Sequence, residues 1–314
     1  MSKNKTAFLF PGQGSQSIGM SRDIANEFSE AKEIFDQVDN ICRKPISKLC
    51  FEGPMEELTL TVNLQPAITA VNLACLVALN KEGVGPSVSA GHSLGEYAAL
   101  TSAGVVAPYD ALKLVKKRGE LMHRESLANP GIMVAILGME IESVARIVDQ
   151  AKEKGVIAVA NHNTAQQIVL TGEEKAIHYA MDLVKIQGGK SILLKVSGAW
   201  HCSLMKNAVD DFRRFMEDIP FLRPKTTMLF NATAGFEEAP EEIKNIMARQ
   251  LISPVKWYDI ILKMLEQGID TFVEVGPKKV LTGLLNKIIP KEDDLKVYNV
   301  EDLKGLETIL KEIN

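Results

Sequence analysis

The 314-residue sequence is short of cysteine, with four, and of tryptophan, with two. Cys42, Cys50, Cys75 and Cys202 form no C-x-x-C pair and have no histidines at ligand spacing, which argues against a disulfide framework and against a zinc site. Reduced, structural thiols are expected, and no metal. An excess of one charge is also missing: 36 basic and 40 acidic residues leave a net charge of −4, which offers nucleic acid no electrostatic footprint. Long hydrophobic runs are absent as well. The most apolar stretch, PAITAVNLACLVALN, is interrupted by Asn72 and is too short to span a bilayer, so no membrane partner is expected. No basic start, long apolar core and small-residue cleavage site occur together, and AFLF near the start has only the length of a strand. The cytoplasm is the expected location. No internal repeat or low-complexity tract breaks the chain.

What is present is the composition of an ordinary globular protein, 46% hydrophobic and 24% charged, long enough for a large core and a second small domain. Strand 6–10 runs into PGQGSQ, and helical periodicity follows over 18–28, 31–42 and 66–80. A short apolar strand ending at Ala90 leads through a glycine-rich turn to a helix from Leu94, and another helix covers 108–127. The rhythm then changes. Strand 132–137, helix 141–154, strand 156–160, strand 167–171, helix 173–187 and strand 191–196 give the β-α-β-β-α-β order of a ferredoxin-like unit. Residues 128–197 are therefore expected to be an inserted subdomain, and 1–127 with 198–314 one α/β core with a mainly parallel sheet. The second half of that core reads as helix 204–216, strand 226–231, helices 241–251 and 257–267, and strand 271–277 followed by a helix.

Ser93 sits in G-H-S-L-G between a strand and a helix rich in small residues (Leu94, Ala98, Ala99, Ala103), the context of a nucleophile elbow. Such a pentapeptide occurs by chance on the order of once in ten chains of this length, so the flanking strand and helix carry the reading. The alternative is a glycine-rich connection with a structural serine. A serine nucleophile needs a base. Of five histidines, His92 lies inside the elbow, where neighbouring side chains are expected to point apart; His123 and His178 fall on helix surfaces and His162 in a subdomain loop. His201, in VSGAWHCSLM just past the strand that leaves the insertion, is placed to face a domain cleft. Asp110, Asp149 and Asp182 have no strand-end context, which suggests a Ser/His dyad oriented by a backbone carbonyl. FPGQGSQ is a turn able to offer backbone N–H groups to an oxyanion beside the amide of Leu94, or else a lead into a helix capped by Ser15 or Ser17. Arg118 falls at the edge of an apolar helix face. If it faces the site, its planar fork would pair with a carboxylate and the acyl group should be anionic; if not, it is solvated.

Seven motifs in order, FPGQGSQ, QPA, GHSLGEY, RGELM, SGAWH, ARQLISPVKW and EVGPKKVL, resemble the malonyl-CoA:acyl carrier protein transacylase family of bacterial fatty acid synthesis over nearly the whole chain. That acyltransferase family also includes domains of polyketide synthases. The resemblance implies an α/β-hydrolase-like core with a ferredoxin-like insertion, Ser93 as nucleophile and His201 as base. It further implies oxyanion amides at Gln13 and Leu94, a malonyl clamp at Arg118, and the Gln250 carbonyl as the group that orients His201. Asn163 matches the family's site asparagine. Trp200 puts a bulky ring where relatives that accept an α-methyl group carry a smaller residue, which favours malonyl over methylmalonyl. The implied partners are malonyl-CoA and holo acyl carrier protein, with no cofactor, and the implied state is a monomer. Lys190, Lys195, Lys278 and Lys279 are candidates for docking the acidic carrier. Ala165 and Lys278 stand where the family often has proline and glycine, and Cys202 beside the base stands where relatives have a small residue. A stand-alone acyltransferase of a polyketide synthase and a serine esterase or thioesterase are the rival readings, with a noncatalytic scaffold a third.

Overall fold

In the computed structural model, residues 5–290 and 295–313 are described. Among them, nine strands form two sheets: β1 Thr6–Phe10, β2 Val88–Gly91, β3 Ile132–Leu137, β4 Ile157–Thr164, β5 Gln167–Gly172, β6 Lys190–Leu193, β7 Thr227–Met228, β8 Thr271–Val275 and β9 Lys296–Val300. The first sheet has the order β7-β2-β1-β8-β9 and every pair in it is parallel. Its central strand TAFLF is buried at all five positions, the mark of a parallel strand covered on both faces. Phe8 and Phe10 turn into the layer that holds helix Thr61–Lys81, while Ala7 and Leu9 turn to the layer of Trp257, Ile260 and Leu281. The period of two along one strand thus builds a three-layer core.

Helix Thr61–Lys81 begins five residues before the expected start at Pro66. It is apolar on every side because it is surrounded, and although long and apolar enough to cross a membrane, 89% of its apolar window is buried inside the protein. The earlier start brings Gln65 into the helix. Gly119 of helix Pro108–Ala128 packs there, with a Cβ position 3.2 Å from the Thr61 carbonyl oxygen.

The second sheet, order β4-β5-β3-β6, is antiparallel throughout and has the ferredoxin-like arrangement. Val134 and Ile136 of β3 face helices Ile141–Ala151 and Glu174–Ile186 in a core of their own; the alternate residues Met133 and Ala135 join the main core instead. That inner face is the wall opposite β2.

Three strands differ most from expectation. β4 runs to Thr164, so the ANHNTAQQ segment is mostly strand rather than loop, with register shifts at Val159/Asn161 and Asn163's neighbours His162/Thr164 that re-aim side chains. β6 ends at Leu193 rather than 196, and β7 keeps only two residues of TTMLFN. β9 and helix Leu303–Ile313 were not anticipated; β9 completes the sheet beside β8.

Candidate active site

The turn after β2 is tight enough to require both flanking glycines. A Cβ on Gly91 would lie 2.0 Å from the Gly95 carbonyl carbon, and one on Gly95 would lie 1.9 Å from the Phe10 carbonyl oxygen. Between them Ser93 takes a left-handed conformation, φ 49°, which an L-residue holds only where its surroundings enforce it. His201 is in the same region, φ 63°. Ser93 Oγ and His201 Nε2 are 2.8 Å apart.

Among the described residues no carboxylate stands behind the imidazole. Its Nδ1 is 3.0 Å from the Gln250 carbonyl oxygen and 3.1 Å from that of Ser253. These carbonyls lie where helix Pro240–Arg249 runs out through a 3₁₀ turn, and that of Gln250 also accepts the Ser253 N–H at 3.3 Å. Since both can only accept, Nδ1 carries the proton and Nε2 is left to receive one from Ser93. The following segment is tied to the second sheet: Val255 N–H donates to the Ala160 carbonyl at 2.8 Å and His162 N–H to the Val255 carbonyl at 2.9 Å. Burial, reinforced by the charge of Arg118, pushes the His201 pKa down to about 3, so the ring is neutral and ready as a base near neutral pH.

Arg118 is buried, 1% exposed, and its guanidinium is served by neutral oxygens. Nη1 donates to Gln65 Oε1 at 2.9 Å, Nε and Nη2 to Gln250 Oε1 at 3.2 and 3.1 Å, and Nη2 also to Ser93 Oγ at 3.2 Å. The group stacks over the Tyr97 ring, 5.6 Å from its centroid. Among the described residues no carboxylate forms an ion pair with it, although the charge of Glu96 is near enough to favour its protonated form. A buried cation held by amides beside a serine hydroxyl is a ready seat for an anionic acyl group.

These groups open onto a cavity of about 310 Å³ lined by Gln13, Ser93, Leu94, Arg118, Asn163, Trp200 and His201, with Met122, Met133, Val169, Leu194 and Leu281 as apolar wall. Gln250 is absent from that wall; wholly buried, it stands behind the histidine with its carbonyl and behind the arginine with its side chain. A Cβ on Gly12 would be 3.5 Å from Leu94 N, so the FPGQGSQ loop lies against the elbow. Among the described residues neither Gln13 N–H nor Leu94 N–H has a hydrogen-bond partner. Asn72 Nδ2 holds the loop by donating to the Pro11 carbonyl at 2.9 Å. The Trp200 ring lies against Gly198, where a Cβ would come within 2.6 Å of it.

His92 behaves differently from the sequence expectation, since its ring turns to the same cavity, pairs with Asn163 Oδ1 at 2.8 Å and meets Trp257 edge-on. His162 is in strand β4, stacked against Tyr258. Cys202 is buried outside the cavity wall, its thiol donating to the Ala199 carbonyl at 3.4 Å and pushed up in pKa by burial. Lys190, Lys195, Lys278 and Lys279 are all exposed, flanking the cavity residues Leu194, Val196 and Val280. Among the described residues no group of three or more His, Cys, Asp or Glu side chains is placed to hold a metal.

Three buried residues of the site escaped the sequence reading: Gln65, Glu96 and Asn231. Gln65 and Glu96 lie inside motifs noted for other reasons, QPA and GHSLGEY, and Asn231 lies at the carboxyl end of a strand, where ligand sites of parallel sheets gather. Glu96 accepts the Asn231 N–H at 2.7 Å and a bond from Gln250 Nε2, and burial raises its pKa to about 7.

Residues 7–303 match the acyl transferase domain family. The chain is 39% identical over 313 residues, 99% of each chain, to the malonyl CoA-acyl carrier protein transacylase of Bacillus subtilis (strain 168). It superposes with TM-score 0.93 at 36% identity on the acyl carrier protein S-malonyltransferase of Vibrio cholerae, covering 97% of this chain and 99% of that one. A malonyl-transacylase solved in complex with its type II PKS acyl carrier protein is similar to the same degree, with TM-score 0.93, 35% identity and coverage of 98% and 99%.

Proposed function

The chain belongs to the acyl transferase domain family, and on that premise we propose that it moves a malonyl group from malonyl-CoA to the phosphopantetheine thiol of holo acyl carrier protein through a malonyl ester on Ser93. One observation carries this reading: the Ser93–His201 pair stands within hydrogen-bond reach of a buried arginine that has no carboxylate partner among the described residues. His201 Nε2 takes the proton of Ser93 Oγ as the oxygen attacks the thioester carbon. The oxygen of the tetrahedral adduct gathers negative charge and is met by the amides of Gln13 and Leu94, which have no partner to leave among the described residues. Collapse breaks the C–S bond, and the proton on Nε2 passes to the departing CoA sulfur. In the second half the carrier thiol gives its proton to Nε2, attacks the same carbonyl, and Ser93 regains the proton as it leaves.

The carbonyls of Gln250 and Ser253 hold the ring through both halves and stabilise the imidazolium without a triad acid. Arg118 binds the malonyl carboxylate by exchanging one of its amide oxygens for a charged one, a gain that an acetyl group cannot offer. Malonyl-CoA and the malonylated carrier are both thioesters, so the overall transfer is near balance and calls for no metal or redox cofactor. Lys190, Lys195, Lys278 and Lys279 supply local positive charge for an acidic carrier, and the enzyme acts as a cytoplasmic monomer in this reading.

The test is to incubate the protein with malonyl-CoA and holo carrier and weigh the carrier. A malonyl mass on the carrier, dependent on the protein and exceeding release of free malonate, is expected. Malonate released at the same rate with or without carrier would mark a thioesterase instead. The polyketide reading has support in the complex with a type II PKS carrier, and running both fatty acid and polyketide carriers side by side separates the two pathways by rate.

A further inference from the structure

We propose that Asn231 is a positioning residue that sets the nucleophile, one side-chain amide clamping both backbone arms of the elbow. The proposal rests on Ser93 being the acylated residue. β7 pairs with β2 as far as Ser89 beside Met228; Asn231 follows three residues beyond that last pair, with its side chain bonded to the elbow. The Asn231 side chain is wholly buried. Its Oδ1 accepts the Ser93 N–H at 2.7 Å, and its Nδ2–H donates to the Gly91 carbonyl at 2.7 Å. A single carboxamide therefore spans the two peptide groups on either side of His92, where the chain passes from extended strand into the left-handed Ser93.

Asn231 is fixed in turn by its own backbone. Its N–H donates to Glu96 Oε1 at 2.7 Å and its carbonyl accepts the Lys256 N–H at 3.1 Å. Two consequences follow for the chemistry. The conformation that points Ser93 Oγ at His201 Nε2 is held from outside the turn, and the Ser93 N–H is engaged, so the substrate oxygen is left to the amides of Leu94 and Gln13. The position needs one acceptor and one donor in a fixed geometry, which an amide has. An ionised carboxylate of the same shape has only acceptors, and would face the Gly91 carbonyl with Glu96 close by.

That difference supplies the test. Asn231→Asp keeps every heavy-atom position, and burial favours its neutral form, whose O–H can again donate to Gly91. At about pH 8 the rate of acylation at saturating malonyl-CoA should fall roughly 10- to 100-fold, since small misplacement of a nucleophile is enough for that, while KM stays within about twofold. Measured against wild type, the activity of Asn231→Asp should recover several-fold toward about pH 5, whereas Asn231→Ala should show the same loss at both pH values. Labelling of Ser93 by a small fluorophosphonate, which needs the nucleophile but not Arg118, should drop by a similar factor.

Wild-type rates in Asn231→Asp at both pH values, a loss confined to KM, a loss in Asn231→Asp without recovery at low pH, or undiminished fluorophosphonate labelling would each overturn the proposal. Because the aspartate replacement is isosteric, the test does not depend on whether Asn231→Ala folds. A wild-type protein that malonyl-CoA acylates elsewhere than Ser93 would instead remove the reading beneath the proposal, and peptide mapping of the wild-type adduct distinguishes the two failures.

Discussion

Replacing Arg118 by methionine should abolish the preference for malonyl without abolishing the nucleophile. The guanidinium is 1% exposed and its four bonds go to two glutamine side chains and Ser93 Oγ, so in the bound state it is the cation available to the acyl carboxylate. Removing one partner of a buried ion pair costs about 3–5 kcal/mol. At about 1.36 kcal/mol per decade, kcat/KM for malonyl-CoA should fall roughly 10²- to 10⁴-fold. Acetyl-CoA gains nothing from the charge, so its loss is limited to the bond from Nη2 to Ser93 Oγ, a factor that both thioesters share. The ratio of the two rates cancels that shared factor and isolates the carboxylate contact. Single-turnover acylation followed by intact mass gives both rates, and a thermal melt shows how far the unpartnered oxygens of Gln65 and Gln250 weaken the fold, at about 1–3 kcal/mol each. Malonyl and acetyl rates that fall by the same factor would refute the assignment of Arg118 as the carboxylate clamp.

The pH dependence follows from His201, whose pKa is lowered from 6.5 to about 3. The proton-free form is the base, so kcat/KM should show no break near pH 6.5 and should fail only as pH drops toward 3; an acid limb centred at 6.5 would contradict the burial argument. The unfolded chain binds that proton more readily than the folded one, so this residue makes stability fall as pH decreases from 6.5 toward 3, by at most about 1.4 kcal/mol per pH unit in unfolding experiments. Gly95→Ala, with its new carbon 1.9 Å from the Phe10 carbonyl oxygen, should lower stability by several times the roughly 1 kcal/mol expected of Gly14→Ala, which meets nothing; equal melting points would refute the packing account. Trp200→Ser should raise the rate with methylmalonyl-CoA relative to malonyl-CoA, and an unchanged ratio in competition would exclude the ring from specificity. Charge reversal at Lys190 and Lys195 should slow transfer to the carrier at low salt while leaving acylation by malonyl-CoA intact, read from the two half-reactions separately.

Strong local signals made much of this fold legible. TAFLF and IMVAIL read as strands because their apolar runs are short and bounded, and the structure gives them the same limits, Thr6–Phe10 and Ile132–Leu137. The alternation that announces an inserted ferredoxin-like unit is equally local. What periodicity misjudged was set by tertiary contact. Pro66 looks like a helix start, yet the helix begins at Thr61 because its first turn packs on Gly119 and is stabilised there. The polar run NHNT looks like a loop, yet β5 pairs with it across two irregularities that turn Asn161 and Asn163 to the cavity. Lys278, expected as a departure from glycine and as a docking candidate, proves to hold φ 62°, so the departure carries backbone strain that the sequence does not display. In the site, the structure brings Ser93, His201, Arg118 and Gln250 together, whereas Gln65, Glu96 and Asn231 stand behind them without having been singled out in the sequence. These three act through bonds to residues 53 to 154 positions away in the chain, a relation that spacing along a sequence does not encode.

The central claim is that Ser93 carries the acyl group between donor and carrier. Its most direct measurement is the intact mass of the protein after brief exposure to malonyl-CoA, with proteolytic mapping of the modified peptide and Ser93→Ala alongside. The account predicts one malonyl addition on Ser93 that is absent from the alanine variant and disappears when holo carrier is added. An adduct that persists in Ser93→Ala, or carrier malonylation at wild-type rate by that variant, would contradict it.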